Sequence, residues 1–442
     1  MTVRTLWPQR VTRGAYSSDA PQRDTREVLA LGRIVSAPLQ PAPMYPLHLF
    51  RLRLSELERH ATVIGTTGSG KTTSLARLID AALLANWSVL VLDAKGGRLA
   101  TICRSLGKLH QVPVRLWLPE YPDSWTYDPC AGDPNAVANR LVGAFDHGRE
   151  GQVYRNLSQA IVPLAVRALV ESGEACTLDA LRYRLDETHL AGLARQVVDA
   201  ELKTELQTIL RDPLHRATLS GIAGRLRSLR HGVFGRWLLP SEHTIDLAAC
   251  LQTAGVTYLG LPATAASEDV ALVGRVLIQH LKQVAYDGLW ADDPHPGLVV
   301  FDEFASLGDA TQLVDLLLQA REARLAVVVS TQQLPRDAVV LRKALLGAGV
   351  LMSHQIGAPE DADAVARALG SRNGTEIVRH IQLGPAGPLV RRFLRNRESF
   401  LVAPDELACL AVGQAATSVR FGQQRLAVVQ IDQLPSAASA RG

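Results

Sequence analysis

Apolar positions along the chain follow two rhythms. Short continuous runs occupy residues 61–64 (ATVI), 88–92 (SVLVL), 256–261 (VTYLGL), 298–301 (LVVF) and 325–330 (LAVVVS). A strand buried on both faces of a parallel sheet needs such a run rather than an alternation. Between the runs, residues 73–84, 135–145, 268–286 and 311–323 carry the spacing of amphipathic helices. Residues 47–54 (LHLFRLRL) alternate, and 112–118 (VPVRLWL) predict one more strand. Strand and helix in alternation imply an α/β fold, a mostly parallel sheet with helices on both faces.

From about residue 154 to 238 the strand rhythm stops. Helical segments follow one another: NLSQAIVPLAVRALVES, LDALRYRL, LAGLARQVVDAELKTELQTIL and TLSGIAGRLRSLR. This predicts an all-helical insertion in the α/β core. The expected organisation is an extended or partly ordered arm (1–46), a first core part (47–152), the insertion (153–240), a second core part (241–432) and a short tail (433–442).

Composition agrees with a folded chain that has a large core: 442 residues, 47% hydrophobic and 20% charged. No uninterrupted apolar run reaches the roughly 18 residues of a membrane span, and the first residues lack the apolar stretch of a signal peptide. Cys103, Cys130, Cys176, Cys250 and Cys409 are scattered, which argues against a zinc site or a disulfide framework and for a reduced, cytoplasmic protein. The formal net charge of +4 excludes little. Arginine outnumbers lysine, which favours bidentate phosphate contacts.

Candidate chemistry begins at residues 62–75, TVIGTTGSGKTTSL. Gly65, Thr66, Thr67, Gly68, Ser69, Gly70, Lys71, Thr72 and Thr73 form the pattern of a phosphate-binding loop between strand and helix. Its glycines let successive backbone N–H groups turn toward phosphate oxygens. Lys71 would reach the β- and γ-phosphates of ATP, and Thr72 would place its hydroxyl on Mg²⁺. The apolar run 298–301 ends in Asp302 and Glu303. Asp302 would hold Mg²⁺, and Glu303 would act as general base on the attacking water. Alone, an apolar strand ending in two acids is as readily a strand reaching solvent; paired with Lys71 it points to a hydrolase. Gln332, at the end of the run 325–330, is placed to sense a γ-phosphate, or else belongs to a solvated turn before Pro335. Arg321 could act as an arginine finger in a neighbouring subunit's site, or belong to an ordinary helix end. Arg324 is a weaker candidate for the same role.

These motifs together, GTTGSGKTT, LDAKGG, WTYDP, VVFDEFASLG, REARLAVVVSTQQLP and the closing RRFLRNRESFLVAPDELACLAVGQAA, resemble the coupling ATPases of conjugation and type IV secretion. Those belong to the larger superfamily of FtsK- and HerA-like DNA motors, and the resemblance spans about residues 45–432. It implies a RecA-like motor core, a helical cap in the insertion and a homo-hexameric ring around DNA. By position it assigns Lys71 and Thr72 to nucleotide, Asp302 and Glu303 to metal and catalysis, Gln332 to the sensor and Arg321 to the trans-acting arginine. Asp93 would lie beside the phosphate loop. Coupling proteins mostly carry N-terminal membrane helices, and this chain shows none. The expectation is a cytoplasmic motor, or one held at the inner face of the membrane through a partner such as a relaxase or a secretion channel.

Two alternatives stay open: a HerA-like translocase in repair or defence, and a nucleotide-gated recruitment adaptor. For DNA contact the insertion offers Arg211, His215, Arg216, Arg225, Arg227, Arg230, His231 and Arg236, with a solvated helix face as the plainer reading. Arg391, Arg392, Arg395 and Arg397 interleave with Phe393, which strand alternation explains equally well.

Overall fold

A computed structural model describes residues 27–38, 49–95, 97–119, 121–145, 151–261, 267–307, 311–384, 387–422 and 424–434. The expected N-terminal arm lies outside these residues except for 27–38, as does most of the expected tail. In chain order the elements are β1 (Val28–Ser36), β2 (Leu49–Arg53), α1 (Leu54–Leu57), β3 (Ala61–Ile64), α2 (Lys71–Leu84), β4 (Ser88–Asp93), α3 (Arg98–His110), β5 (Val114–Trp117), β6 (Thr126–Tyr127) and α4 (Pro134–Ala144). A helical stretch follows: α5 (Gln152–Glu171), α6 (Leu178–Arg184), α7 (Glu187–Gln196), α8 (Ala200–Arg211) and α9 (Pro213–His231). The chain then continues through β7 (Thr244–Ile245), α10 (Leu247–Leu251), β8 (Gly255–Gly260), α11 (Ser267–Gly288), β9 (Gly297–Asp302), α12 (Thr311–Ala320) and β10 (Leu325–Thr331). It closes with α13 (Val339–Leu346), β11 (Val350–Ser353), α14 (Pro359–Leu369), β12 (Ser371–Gly384), β13 (Gly387–Phe400), α15 (Pro404–Ala408), β14 (Gln414–Val419) and β15 (Arg425–Ile431).

Among the described residues an 11-stranded sheet organises the fold, in the order β2-β1-β15-β14-β11-β3-β10-β9-β4-β8-β5. From β11 to β5 every neighbour is parallel; β14, β15, β1 and β2 extend that sheet antiparallel. The continuous apolar runs are its central strands, and successive residues serve opposite faces. Leu90, Leu92, Val299, Phe301, Val327 and Val329 join one hydrophobic cluster with α4, α11 and α12. Val89, Val91, Leu298, Val300, Ala326 and Val328 join another with α2 and α3. Both faces are covered, as a parallel sheet requires.

Three sequence expectations change. Residues 28–36 are not part of an arm but a sheet strand, pairing with β15 and β2. The long helical segment LAGLARQVVDAELKTELQTIL breaks into α7 and α8. Asp199 causes the break: its carboxylate accepts from the amides of Glu201 and Leu202 and starts a new helix. The helix expected over 311–323 stops at Ala320, so Arg321 lies in the turn beyond it. The apolar residues of α5–α9 are continuous with the cluster on one face of the sheet, so these helices extend that core.

Candidate active site

Parallel strands deliver their carboxyl ends to one edge, where ligands bind in open α/β sheets. β3 reaches that edge at Ile64, and its phosphate-loop sequence is held by backbone contacts from both sides. The amide of Gly65 donates to Thr331 O (3.2 Å), and that of Thr66 to Gln355 O (2.8 Å). Gly70 closes the turn at φ 116°, where a Cβ would lie 2.9 Å from Gly413 Cα, so both backbone and space demand glycine. α2 starts at Lys71 with no side chain capping it. Thr72 and Thr73 sit half-buried in its first turn. Lys71 is 8% exposed, and its Nζ donates to Gly65 O (2.6 Å) and Thr66 O (3.1 Å). The ammonium thus lies inside the loop, where phosphate oxygens could replace those carbonyls.

Opposite the loop, register sets two acids side by side: Asp93 at the end of β4 pairs with Asp302 at the end of β9. Both are buried. Asp93 accepts from the Tyr258 hydroxyl (2.6 Å) and the Lys95 amide (2.8 Å). Burial pushes the Asp302 carboxyl above the usual range, and the charges of Asp93 and Glu303 add to this while Lys71 opposes it. Burial likewise lowers the Lys71 ammonium, against the pull of Glu303 and Asp302. A buried acid crowded by other acids gains from a divalent cation.

Glu303 follows with φ 55°, left-handed for a residue that has a Cβ. Such a conformation costs about 1–3 kcal/mol and clusters at functional sites. It brings the Glu303 carboxylate to Gln332, whose Nε2 donates to Oε2 (2.7 Å). The other end of the same amide, Oε1, accepts from Thr67 Oγ1 (2.9 Å). Thr67, Gln332 and Glu303 therefore form one hydrogen-bonded chain from the phosphate loop to the acid.

Arg321 is not part of this edge. β10 carries the chain across the sheet from Leu325 to Thr331, seven residues or roughly 23 Å. Arg321 is exposed at the amino edge, where it lines a cavity of about 360 Å³ with Arg59, His60, Arg420 and Phe421. Arg324 has a local role: its Nη1 donates to Asp293 (2.9 Å) and to Pro294 O (3.2 Å).

The loop has supports that sequence reasoning missed. His354, just past β11, is fully buried, and its Nε2 lies 2.9 Å from Ser74 Oγ on α2. Gln355 holds Thr66, and the Gly413 amide donates to Ser69 O (2.9 Å). The only sequence signal was a polar pair ending the short apolar run VLMS. Burial holds the His354 imidazole down to about 4, helped by the nearby Lys71 charge. Its folded value lies below its unfolded one, so stability is complete above pH 6.5 and is lost as pH falls through that window to 4. At full burial the loss approaches about 3 kcal/mol. His354→Gln should flatten this pH dependence in denaturant unfolding; equal slopes for variant and parent would exclude it.

The basic cluster of the insertion is partly neutralised within the fold. Arg216 pairs with Glu187 (3.0 Å), Arg230 with Asp179 (2.9 Å) and His215 with Asp212 (3.3 Å). Arg225 lies over the Phe145 ring at 5.6 Å. Arg211, Arg227, His231 and Arg236 are exposed. Among the described residues no helix is long and apolar enough to cross a membrane.

Residues 48–97, which hold the phosphate loop and the end of β4, match the family model of the helicase HerA central domain. No curated protein sequence matches the chain. Among solved structures, the bacterial conjugative coupling protein TrwBdeltaN70 in its unbound form superposes at TM-score 0.64 with 17% identity, over 87% of each chain. TrwB in complex with ADP and Mg²⁺ does so at 0.61 and 17%, over 91% of this chain and 93% of that one. VirB4 of Thermoanaerobacter pseudethanolicus follows at 0.55 and 14%, over 92% and 96%. Likeness at this identity establishes the fold: a RecA-like phosphate-loop core, as the motifs implied. The resemblance to the FtsK- and HerA-like group is borne out.

Proposed function

We propose that this chain is an ATP-driven ring motor that binds and moves DNA, or a DNA–protein complex, as the coupling component of conjugative transfer or type IV secretion. The observation that carries the reading is the hydrogen-bonded chain from Thr67 through Gln332 to Glu303, facing Lys71 and Asp302 at one sheet edge. Such a chain links a phosphate-binding loop to a base for water. The structural relatives support it, since TrwB is known in complex with ADP and Mg²⁺ and with an ATP analogue.

In this reading the loop amides and Lys71 take the phosphates. Asp302 and Thr72 are hard oxygen donors that fit Mg²⁺. The bound metal would neutralise charge on the phosphate oxygens. Glu303 orients and deprotonates the attacking water. Gln332 holds Glu303 until a γ-phosphate offers its amide a stronger acceptor, so the base is released only when ATP is in place. Arg321 acts on the next protomer of a homo-hexamer. A HerA-like translocase in repair or defence is the second reading, favoured by the family model at residues 48–97.

ATP hydrolysis by purified protein with Mg²⁺ should rise on adding DNA, and Lys71→Ala should abolish it. Absence of hydrolysis with both single- and double-stranded DNA would sink the motor reading. Association with a relaxase or secretion component would favour transfer; association with a nuclease would favour the second reading.

A further inference from the structure

The arginine-rich segment after α14 plays no part in the nucleotide site, and the backbone gives it an unusual form. β12 and β13 are 14 residues each and, among the described residues, pair only with one another, a separate two-stranded sheet. At about 3.4 Å per residue the ribbon extends roughly 45 Å. Two-stranded ribbons are marginal in water unless something packs on them.

Register shows what that something should be. Ile377↔Leu394, Val378↔Phe393 and Ile381↔Val390 are apolar partners and favour pairing. Between them Arg379 stands opposite Arg392, and His380 opposite Arg391. Like charges directly opposite destabilise a strand pair. Glu376↔Arg395 is the one register pair of opposite charge. Across the two strands six arginines against two glutamates leave +4, equal to the formal net charge of the whole chain. A polyanion relieves the Arg379–Arg392 repulsion and balances this surplus.

The ribbon is also rooted beside the nucleotide site. Its base is closed by the Leu401 amide donating to Gly370 O (2.9 Å). From there the chain enters α15, where Leu407 O accepts from the Ile356 amide (3.2 Å), and reaches Gly413, which holds Ser69 of the phosphate loop (2.9 Å).

We propose that the β12–β13 ribbon is an arm that binds the phosphate backbone of DNA without reading its sequence. The proposal rests on the DNA-motor reading and names its contact surface. The test replaces Arg379, Arg391, Arg392 and Arg395 together by Gln and titrates labelled duplex and single-stranded oligonucleotides over a range of salt. Affinity at low salt should fall about tenfold or more, and the slope of log K against log[salt] should drop by about 3 to 4 for duplex. DNA-independent ATP hydrolysis should not change, which also reports that the variant folds. On the unaltered protein, DNA should slow amide exchange within residues 371–400. An unchanged affinity and slope overturns the arm while leaving the motor reading intact. Loss of assembly with unchanged DNA affinity identifies the arm as a subunit contact and overturns the proposal. If the unaltered protein binds neither DNA, the DNA reading and the arm fall together.

Discussion

Glu303→Gln should leave ATP binding within about twofold of the parent and reduce hydrolysis by roughly 10²–10⁴-fold, the range for losing a positioned general base. The substitution keeps size and hydrogen-bonding capacity, so Gln332 retains a partner and the φ of 55° at position 303 remains occupied. What disappears is the ability to accept a proton from water. Lys71→Ala should differ in kind: it removes a cation buried inside the loop and should cost nucleotide affinity as well as turnover. Gln332→Ala tests the link between them. It frees Glu303 from its hydrogen bond but removes the amide proposed to donate to the γ-phosphate during transfer, so turnover should fall while nucleotide affinity holds. Phosphate release together with binding of a fluorescent ATP analogue separates the three. A Glu303→Gln protein that hydrolyses at the parental rate would remove Glu303 from the mechanism.

The parts of this site that were legible in the sequence are those whose chemistry is local. Gly65 to Thr73 carry loop, lysine and hydroxyl in one run, and Asp302–Glu303 close an apolar strand. That Asp302 and Lys71 share one sheet edge followed from parallel topology, since β9 ends at Asp302 and β3 ends at Ile64 just before the loop that leads to Lys71. The supports were not legible because they arise from backbone contacts between distant segments. His354 meets Ser74 280 residues away. Gly413 meets Ser69 through a bare amide, which leaves no side-chain pattern to read. β1 failed for a related reason: its partners Arg425–Ile431 lie at the other end of the chain, and Gly32 interrupts its alternation. α3 was missed although Leu99, Ala100, Cys103, Leu106 and Gly107 recur at helical spacing.

Arg321→Ala should lower turnover by about 10³-fold or more, the scale of losing an arginine finger, with nucleotide affinity retained. Its placement decides what the residue can do. Arg321 lies at the amino edge of the sheet and Lys71 at the carboxyl edge, so within one protomer it cannot reach the phosphates. A head-to-tail ring interface, by contrast, joins two different surfaces of the same chain and can set one protomer's amino edge on the next one's carboxyl edge. Nearby arginines are committed elsewhere: Arg59 stacks over Phe421 at 3.3 Å, and Arg420 donates to Ala368 O (2.6 Å). Mixing Arg321→Ala with Lys71→Ala protein gives a sharp test. An interface that takes Lys71 from the first and Arg321 from the second is intact, and random 1:1 rings contain about a quarter of such interfaces. DNA-independent hydrolysis should therefore return in the mixture although each protein alone is inactive. Stable mixed rings with no recovered activity would place Arg321 outside the reaction and make it a structural part of the amino edge.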